Sequence, residues 1–345
     1  MGSVKDLVVL KTPTASEPGL GNFVFSDRYS VFDWGEMPNH IANKGKALCL
    51  IGAYYFEKLE EMGVPTHYLG LVENGDVKQL RQLGAPVNSM QVKLLQVLKP
   101  ALRDGAYDYS VYQGEVRNHL VPLEIIYRNA LPEGSSVFKR LRSGALSPED
   151  LGLAEMPTPG QRLEQPILDV STKLEAIDRY LTWAEAKVIS GMRDEEIEQI
   201  KQITLKIDEL ITQEAERMGL EHEDGKIEYG VDEAGRLMVV DVLGTPDECR
   251  FTFQGIPVSK EAARIFYRNT PWYKEVEAAK KQDNVNWKKL VSSPPPPLPE
   301  HLDRLISHLY MAFCNELTGE GWFGTGPLKE VLFELRDALR ESKPE

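Results

Sequence analysis

Between Asp224 and Val242 two alternating runs flank a polar turn, and no other stretch constrains the fold as tightly. The first run is Asp224-Gly-Lys-Ile-Glu-Tyr-Gly230; after Val-Asp-Glu-Ala-Gly235 the second is Arg236-Leu-Met-Val-Val-Asp-Val242. If Asp232 to Gly235 is a four-residue turn between antiparallel strands, Val231 pairs with Arg236 and Lys226 lies opposite Asp241. Strand side chains alternate. Asp224, Lys226, Glu228 and Asp241 then share one face with Leu237 and Val239, while Ile227, Tyr229, Met238, Val240 and Val242 form a core face. Two carboxylates and an ammonium on one surface can hold Mg²⁺ and an anionic substrate, because a hard cation takes carboxylate oxygens and keeps phosphate oxygens as its remaining ligands. A solvated hairpin with a weak cross-strand Lys–Asp pair has the same spacing.

Later and earlier blocks bear on that choice. Directly after Asp241 comes Val242-Leu-Gly-Thr-Pro-Asp-Glu-Cys-Arg-Phe251. Upstream stand Val121-Pro-Leu-Glu-Ile-Ile-Tyr-Arg-Asn129 with Gly134-Ser-Ser-Val-Phe-Lys-Arg140, and Ser26-Asp-Arg-Tyr-Ser-Val-Phe-Asp33 with Asn43-Lys-Gly45. Ser171-Thr-Lys-Leu-Glu175 and Pro296-Pro-Leu-Pro299 complete the set. In this order the blocks resemble the phosphoribosylaminoimidazole-succinocarboxamide synthase (SAICAR synthase) family, in which a K-x-E-[FY]-G strand precedes an acidic strand end and a T/S-P-D-x-x-R loop. The likeness runs from about Gly2 to about Thr318, with an apparent insertion near Arg103 to Asn118.

The resemblance implies an α+β fold of two lobes. A small antiparallel β lobe (residues 1–100) covers ATP, a larger lobe (101–290) carries the metal and ribotide site, and a helical segment (291–345) packs on the large lobe. It also implies an ATP-dependent ligase: ATP activates the carboxylate of carboxyaminoimidazole ribotide (CAIR), and the amine of L-aspartate attacks to give SAICAR, ADP and phosphate in de novo purine biosynthesis. Moving the γ-phosphoryl group requires Mg²⁺ and cations rather than a protein nucleophile. On this resemblance Glu228 and Asp241 are metal ligands, and Lys226 meets the ribotide carboxylate or the transferring phosphate. Asp224 is a substrate-contacting acid, and Lys5 reaches the ATP phosphates. Arg128, Ser135 and Arg250 bind the ribotide phosphate, as guanidinium forks and a hydroxyl suit that group. Asp27 and Ser30, with Arg28 and Asp33, line the substrate cleft; Thr172 and Lys173 belong to a matched block whose ligand is open.

Two positions depart from the family pattern. Ser3 stands where lysine is usual and Val242 where glutamate is common, so a nucleotide-binding regulatory protein of the same fold with reduced catalysis is the alternative. A kinase-like phosphotransferase needs an Asp base and a glycine-rich phosphate loop, for which Gly19-Leu-Gly21 is too short.

A formal charge of −13 without a Lys/Arg run argues against nucleic acid or anionic membrane as a main partner. Cys49, Cys249 and Cys314 lack metal-ligand spacing and fit buried thiols in a reducing compartment. With no 18-residue apolar run, the expectation is a cytoplasmic protein working on small molecules, and a twofold homodimer is the commonest assembly for such enzymes. Apolar spacing predicts helices over Lys44–Met62, from a cap at Asp194 to near Gly219, over Ser259–Tyr267 and over His301–Leu317. Strands are expected at Val4–Leu10, Phe23–Phe25, His67–Val72, Val92–Leu98 and Val121–Tyr127, with the lobe junction at Arg103–Asn118.

Overall fold

The structure is a computed structural model that describes residues 4–341. Ser3, where the sequence departs from the family pattern, lies outside the described residues. Strands β1 (Lys5–Lys11), β2 (Gly19–Phe25), β3 (Tyr68–Glu73), β4 (Asp76–Lys78) and β5 (Ser89–Leu94) form a five-stranded antiparallel sheet in the order β1-β2-β5-β3-β4. Helix α1 (Lys44–Glu61) joins β2 to β3 and buries Leu48, Ile51, Tyr55, Phe56 and Leu59, the stripe that its three- and four-residue spacing predicts. The segment with the character of an insertion folds as a hairpin of β6 (Ala101–Arg103) and β7 (Ala106–Asp108), followed by a short turn that buries Tyr112.

The larger sheet is built from β8 (His119–Leu131), β9 (Gln161–Thr172), β10 (Tyr180–Leu181), β11 (Glu221–Val231), β12 (Leu237–Val240), β13 (Cys249–Phe253) and β14 (Ile256–Pro257). Its centre is β11. β8 flanks one side, whereas the other side is shared: β13 pairs with Glu221–Gly225 and β12 with Glu228–Val231. The fork leaves Lys226 facing the loop that runs from the end of β12 to the start of β13. The two sheets are tied together where Val239 donates to the Pro65 carbonyl (2.9 Å) and accepts from the His67 amide (3.1 Å).

Helices α2 (Ser136–Arg142), α3 (Trp183–Ser190) and α4 (Asp194–Arg217) come from the middle of the chain. α4 buries Ile197, Ile200, Ile203, Ile207 and Ile211 along one face, and this face packs on β11. Arg193, not Asp194, holds its cap position: Arg193 has extended backbone, and its amide donates to Glu196 (2.8 Å). The remaining helices are α5 (Glu261–Arg268), α6 (Pro271–Gln282), α7 (Glu300–Thr318) and α8 (Leu328–Glu341). α7 packs on α1 and α8, and its Phe313 ring meets Phe251 of β13 at 5.3 Å. Strand β5 ends at Leu94, short of the expected Leu98, because the Gln96 backbone turns away to bond Asn118 and Leu120 beside the large sheet.

The β11–β12 register is one residue from the expected one. Val231 lies opposite Leu237 and Glu228 opposite Val240. The turn is Glu233–Gly235, closed by Asp232 and Arg236: the Asp232 amide donates to the Arg236 carbonyl (2.9 Å), and Asp232 Oδ1 accepts from the amides of Ala234 (2.9 Å) and Arg236 (2.8 Å). Gly235 takes φ +83°, the left-handed conformation that such three-residue turns require. Val240 therefore shares the Glu228 face, and Val239 faces the core. A regular continuation would turn Asp241 inward as well. Instead Asp241 leaves the strand at φ +66°, and it lines the same cavity as Glu228.

Candidate active site

Two cavities meet at Lys226 and Glu228, whose side chains are 2.9 Å apart. The first, of about 380 Å³, lies between the sheets; Leu7, Val9 and Phe23 of the small sheet face Leu120 and Val240 of the large one. Its walls are apolar, and its charged end holds Lys173, Glu228 and Asp241. Lys5 donates to the Asp241 carboxylate, and its ammonium sits 4.9 Å from the Phe23 ring centre. The cavity thus suits a flat apolar ring carrying an anionic tail.

The charges at this end are closely balanced. Glu228 accepts from Lys226 (2.9 Å) and pairs with Lys173 (2.5 Å), and Lys226 also reaches Glu124 (3.2 Å) and Glu248 (3.5 Å). Burial pushes the Glu228 carboxyl up, and the neighbouring charge of Asp241 pushes it further. At Asp241 burial acts in the same sense but is outweighed by Lys5, Lys226 and Lys173, which hold that carboxyl below the usual range. Burial opposes the charged form of Lys226; Glu248, Glu228 and Glu124 overcome it and raise its pKa. Among the described residues no group of three or more His, Cys, Asp or Glu side chains is arranged for a metal, so a cation here would rest on Glu228 and Asp241 and take its other ligands from phosphate.

The second cavity, of about 470 Å³, is lined by Arg128, Ser136 and Tyr180 on one wall, by Lys226, Glu248 and Arg250 on another, and by Lys260 and Arg264 of the α5 region. Arg128 is buried, and its guanidinium donates to Ser136 (3.2 Å), Asp169 (3.3 Å), Tyr180 (3.3 Å), Asp224 (3.4 Å) and Ser135 (3.5 Å). Asp224 lies between Arg128 and Arg250, which donates to it at 3.0 Å. Its pKa is nevertheless raised, because burial outweighs both arginines. Ser135 caps α2 by accepting from the Val137 amide (3.4 Å); its neighbours Gly134 and Ser136 line the cavity, and Ser135 does not.

Lys5, Asp224, Lys226, Glu228, Asp241, Arg128 and Arg250 are thus gathered around the junction of the cavities. Asp27 and Ser30 line neither one. Asp27 accepts from the Gly45 amide at the start of α1 (2.9 Å), and Ser30 accepts from the Gly35 amide (3.3 Å). Thr172 is buried and accepts from the Arg179 amide (3.0 Å), whereas Lys173 faces Glu228. Sequence reasoning missed Glu124, Glu248, Tyr180, Lys260 and Arg264. Glu124 was within reach, since it stands two strand pairs from Arg128 and so shares its face. Lys260 and Arg264 lie in no motif, and only the tertiary fold brings them here.

An apolar slot whose charged end opens on a cavity lined by arginines, lysines and carboxylates has the shape and charge of a binding site for two molecules held side by side. The chain belongs to the SAICAR synthetase family, whose model matches residues 9–278. A protein of Archaeoglobus fulgidus that carries the provisional name phosphoribosylaminoimidazole-succinocarboxamide synthase is 55% identical over 339 residues, covering 98% of this chain and 100% of that protein. Two solved structures share the fold. One is a SAICAR synthetase in complex with ADP, with TM-score 0.55, 22% identity and coverage of 86% of this chain and 99% of that one. The other is the SAICAR synthase of Saccharomyces cerevisiae complexed with SAICAR, with TM-score 0.58, 20% identity and coverage of 92% and 96%.

Proposed function

We infer from the family membership that this chain is an ATP-dependent, amide-forming ligase, which condenses CAIR with L-aspartate to give SAICAR, ADP and phosphate in purine biosynthesis. The observation that carries the site assignment is the lysine–carboxylate cluster at the junction of an apolar cavity and a charged one. In this reading the ATP base occupies the apolar slot, and Lys5 and Lys173 face its phosphates. The repulsion between Glu228 and Asp241, relieved here by lysines, is what a divalent cation would also relieve, so these two carboxylates fit Mg²⁺. Bound there, Mg²⁺ would neutralise phosphate charge as the γ-phosphoryl group moves. Lys226 is aimed at the reacting carboxylate from the ribotide side, and carboxylates on three sides keep it protonated.

The ribotide occupies the second cavity, with its phosphate on Arg128, Arg250 and Ser136, and Ser135 supports that phosphate site through Arg128. Asp224 orients both arginines and meets the substrate through them. Asp27 and Ser30, expected to line the substrate cleft, hold the backbone of the segment that leads into α1. Residues 1–100 serve as the ATP-covering lobe, 101–290 as the ribotide lobe and 291–345 as the helical segment that supports them. We place the enzyme in the cytoplasm as a homodimer; among the described residues no helix is long and apolar enough to cross a membrane. No observation favours the regulatory alternative.

Arg250 offers the cleanest test, because it is part exposed and Arg128 is not. Arg250→Ala should weaken CAIR binding by about 1.5–3 kcal/mol, the range for a hydrogen bond to a charged group, and leave ATP affinity alone. Calorimetry with each ligand separately decides it. A loss of ATP affinity with CAIR affinity unmoved would give Arg250 to the wrong ligand.

A further inference from the structure

Asp241 to Glu248 spans the gap between β12 and β13 without a strand partner, although it carries one wall of the second cavity through Pro246, Asp247 and Glu248. Within the loop Thr245 supplies local bonds: its carbonyl accepts from the amides of Glu248 (3.0 Å) and Cys249 (2.9 Å), and its hydroxyl accepts from the Asp247 amide (3.3 Å). These bonds shape the loop but do not fix it to the body of the protein. Asp247 does that. Its Oδ2 accepts from the ammonium of Lys44 (2.7 Å), its Oδ1 from the hydroxyl of Tyr310 (2.6 Å), and its carbonyl from Lys260 (3.0 Å). Lys44 also donates to the Arg28 carbonyl (3.3 Å) and lies 5.4 Å from the Tyr310 ring centre.

Lys44 and Tyr310 are both completely buried. Burial by itself would raise the Asp247 carboxyl, but Lys44 and Lys260 outweigh it and hold it at about 2, so the group is charged at any working pH and is no proton acceptor for the reaction. A buried ion pair adds little stability over an apolar pair of the same size. What it adds here is direction: each carboxylate oxygen has its own donor, from α1 on one side and from α7 on the other. Three residues on, Arg250 reaches Asp224 at 3.0 Å, and the adjacent Glu248 reaches Lys226 at 3.5 Å. Tyr310 comes from a part of the chain beyond residue 278, where the match to the family model stops.

We propose that Lys44 and Tyr310 are positioning residues of the ligase reaction, clamping Asp247 so that the loop presents Glu248 to Lys226 and Arg250 to the ribotide. The proposal rests on the assignment of the second cavity to CAIR. The clamp touches neither the apolar slot nor Lys5, so its loss falls on the ribotide and spares ATP.

Tyr310→Phe removes one hydroxyl and keeps the ring in the core. It should raise KM for CAIR about tenfold, leave KM for ATP unchanged and leave the protein folded by circular dichroism. A lowered melting temperature with both KM values unchanged, or both KM values raised together, would reduce Tyr310 to a structural role and overturn the proposal. Lys44→Met leaves the Asp247 charge unpaired and threatens folding, so the second arm is a cycle with Asp247→Asn. If the hydroxyl acts through that carboxylate, Tyr310→Phe changes the CAIR KM little further in the Asp247→Asn background; independent, additive effects overturn the proposal. Arg250→Ala is measured alongside. If it leaves CAIR binding intact, the cavity assignment fails and the clamp proposal with it; if it weakens CAIR and Tyr310→Phe does not, the clamp proposal alone fails.

Discussion

Glu228 and Asp241 are neighbouring carboxylates that burial and charge displace in opposite directions, the first upward and the second downward. In the proposed assignment this pair shares a cation, and removing either charge removes half of the protein's contribution to it. Glu228→Gln or Asp241→Asn should therefore abolish most turnover with the fold intact by circular dichroism; turnover within about threefold of the parent at saturating Mg²⁺ in both variants contradicts the assignment. Close by, His67 is buried and donates from Nε2 to the Asp241 carbonyl (3.1 Å), and burial lowers its pKa to about 4. The sign follows from linkage: below its ordinary value of 6.5 the unfolded imidazole takes a proton that the folded one refuses, so the His67 share of stability falls as pH drops from 6.5 towards 4. Urea unfolding of the parent and of His67→Gln across that window should show the parent losing up to about 1.4 kcal/mol per pH unit relative to the variant. Parallel pH profiles would mean that His67 titrates normally in the folded protein. At this scale the sequence was most legible where a motif and a strand face agreed, as at Lys226 and Glu228, whereas Asp241 reaches the same cavity only by leaving the strand. Asp27 and Ser30 lay in a matched block, yet they bond to backbone amides and line neither cavity, because a block's sequence does not say which of its polar side chains the fold spends on holding the loop together.

At the scale of elements the hairpin shows where alternation stops being informative. The alternation within each strand can be read from the sequence, but which faces pair depends on the turn, and a turn of three residues and one of four differ only in what closes them. Here the closure is Asp232, whose carboxylate accepts from two amides and pairs with Arg236 at 2.8 Å. Asp232→Ala should cost about 1–3 kcal/mol in urea or thermal unfolding, since two donors lose their acceptor at a buried position. A change below about 0.5 kcal/mol would show that Gly235 alone sets the register. Helices α1, α4 and α7 were legible because apolar residues recur along one face of each. α6 had the opening signal of Thr270 followed by Pro271, with the Thr270 hydroxyl accepting from the Tyr273 amide (3.2 Å), but its sparse apolar positions Trp272, Val276 and Ala279 gave too weak a stripe.

Across the whole molecule the site is an assembly of distant segments. Lys5 comes from the first strand, Arg128 and Glu124 from β8, Lys173 from the end of β9, Lys226 and Glu228 from the forked strand, and Lys260 and Arg264 from the region of α5. One large apolar core underlies both sheets and most of the helices and holds these segments in a common frame, while a second, smaller cluster of Leu131, Val137, Phe138, Leu141 and Leu151 seats α2. The order of motifs made the family legible; the spatial neighbours outside motifs were not, because they follow from packing rather than from local pattern. In the proposed reaction the two cavities act together, so that ATP is consumed only when both substrates of the amide bond are in reach. Phosphate release and SAICAR formation, followed with purified protein, ATP, Mg²⁺, CAIR and L-aspartate and with each substrate omitted in turn, test it most directly. Phosphate and SAICAR should form in equal amounts with all three substrates and no SAICAR when any one is left out; ATP binding without turnover in the complete mixture would overturn the ligase assignment.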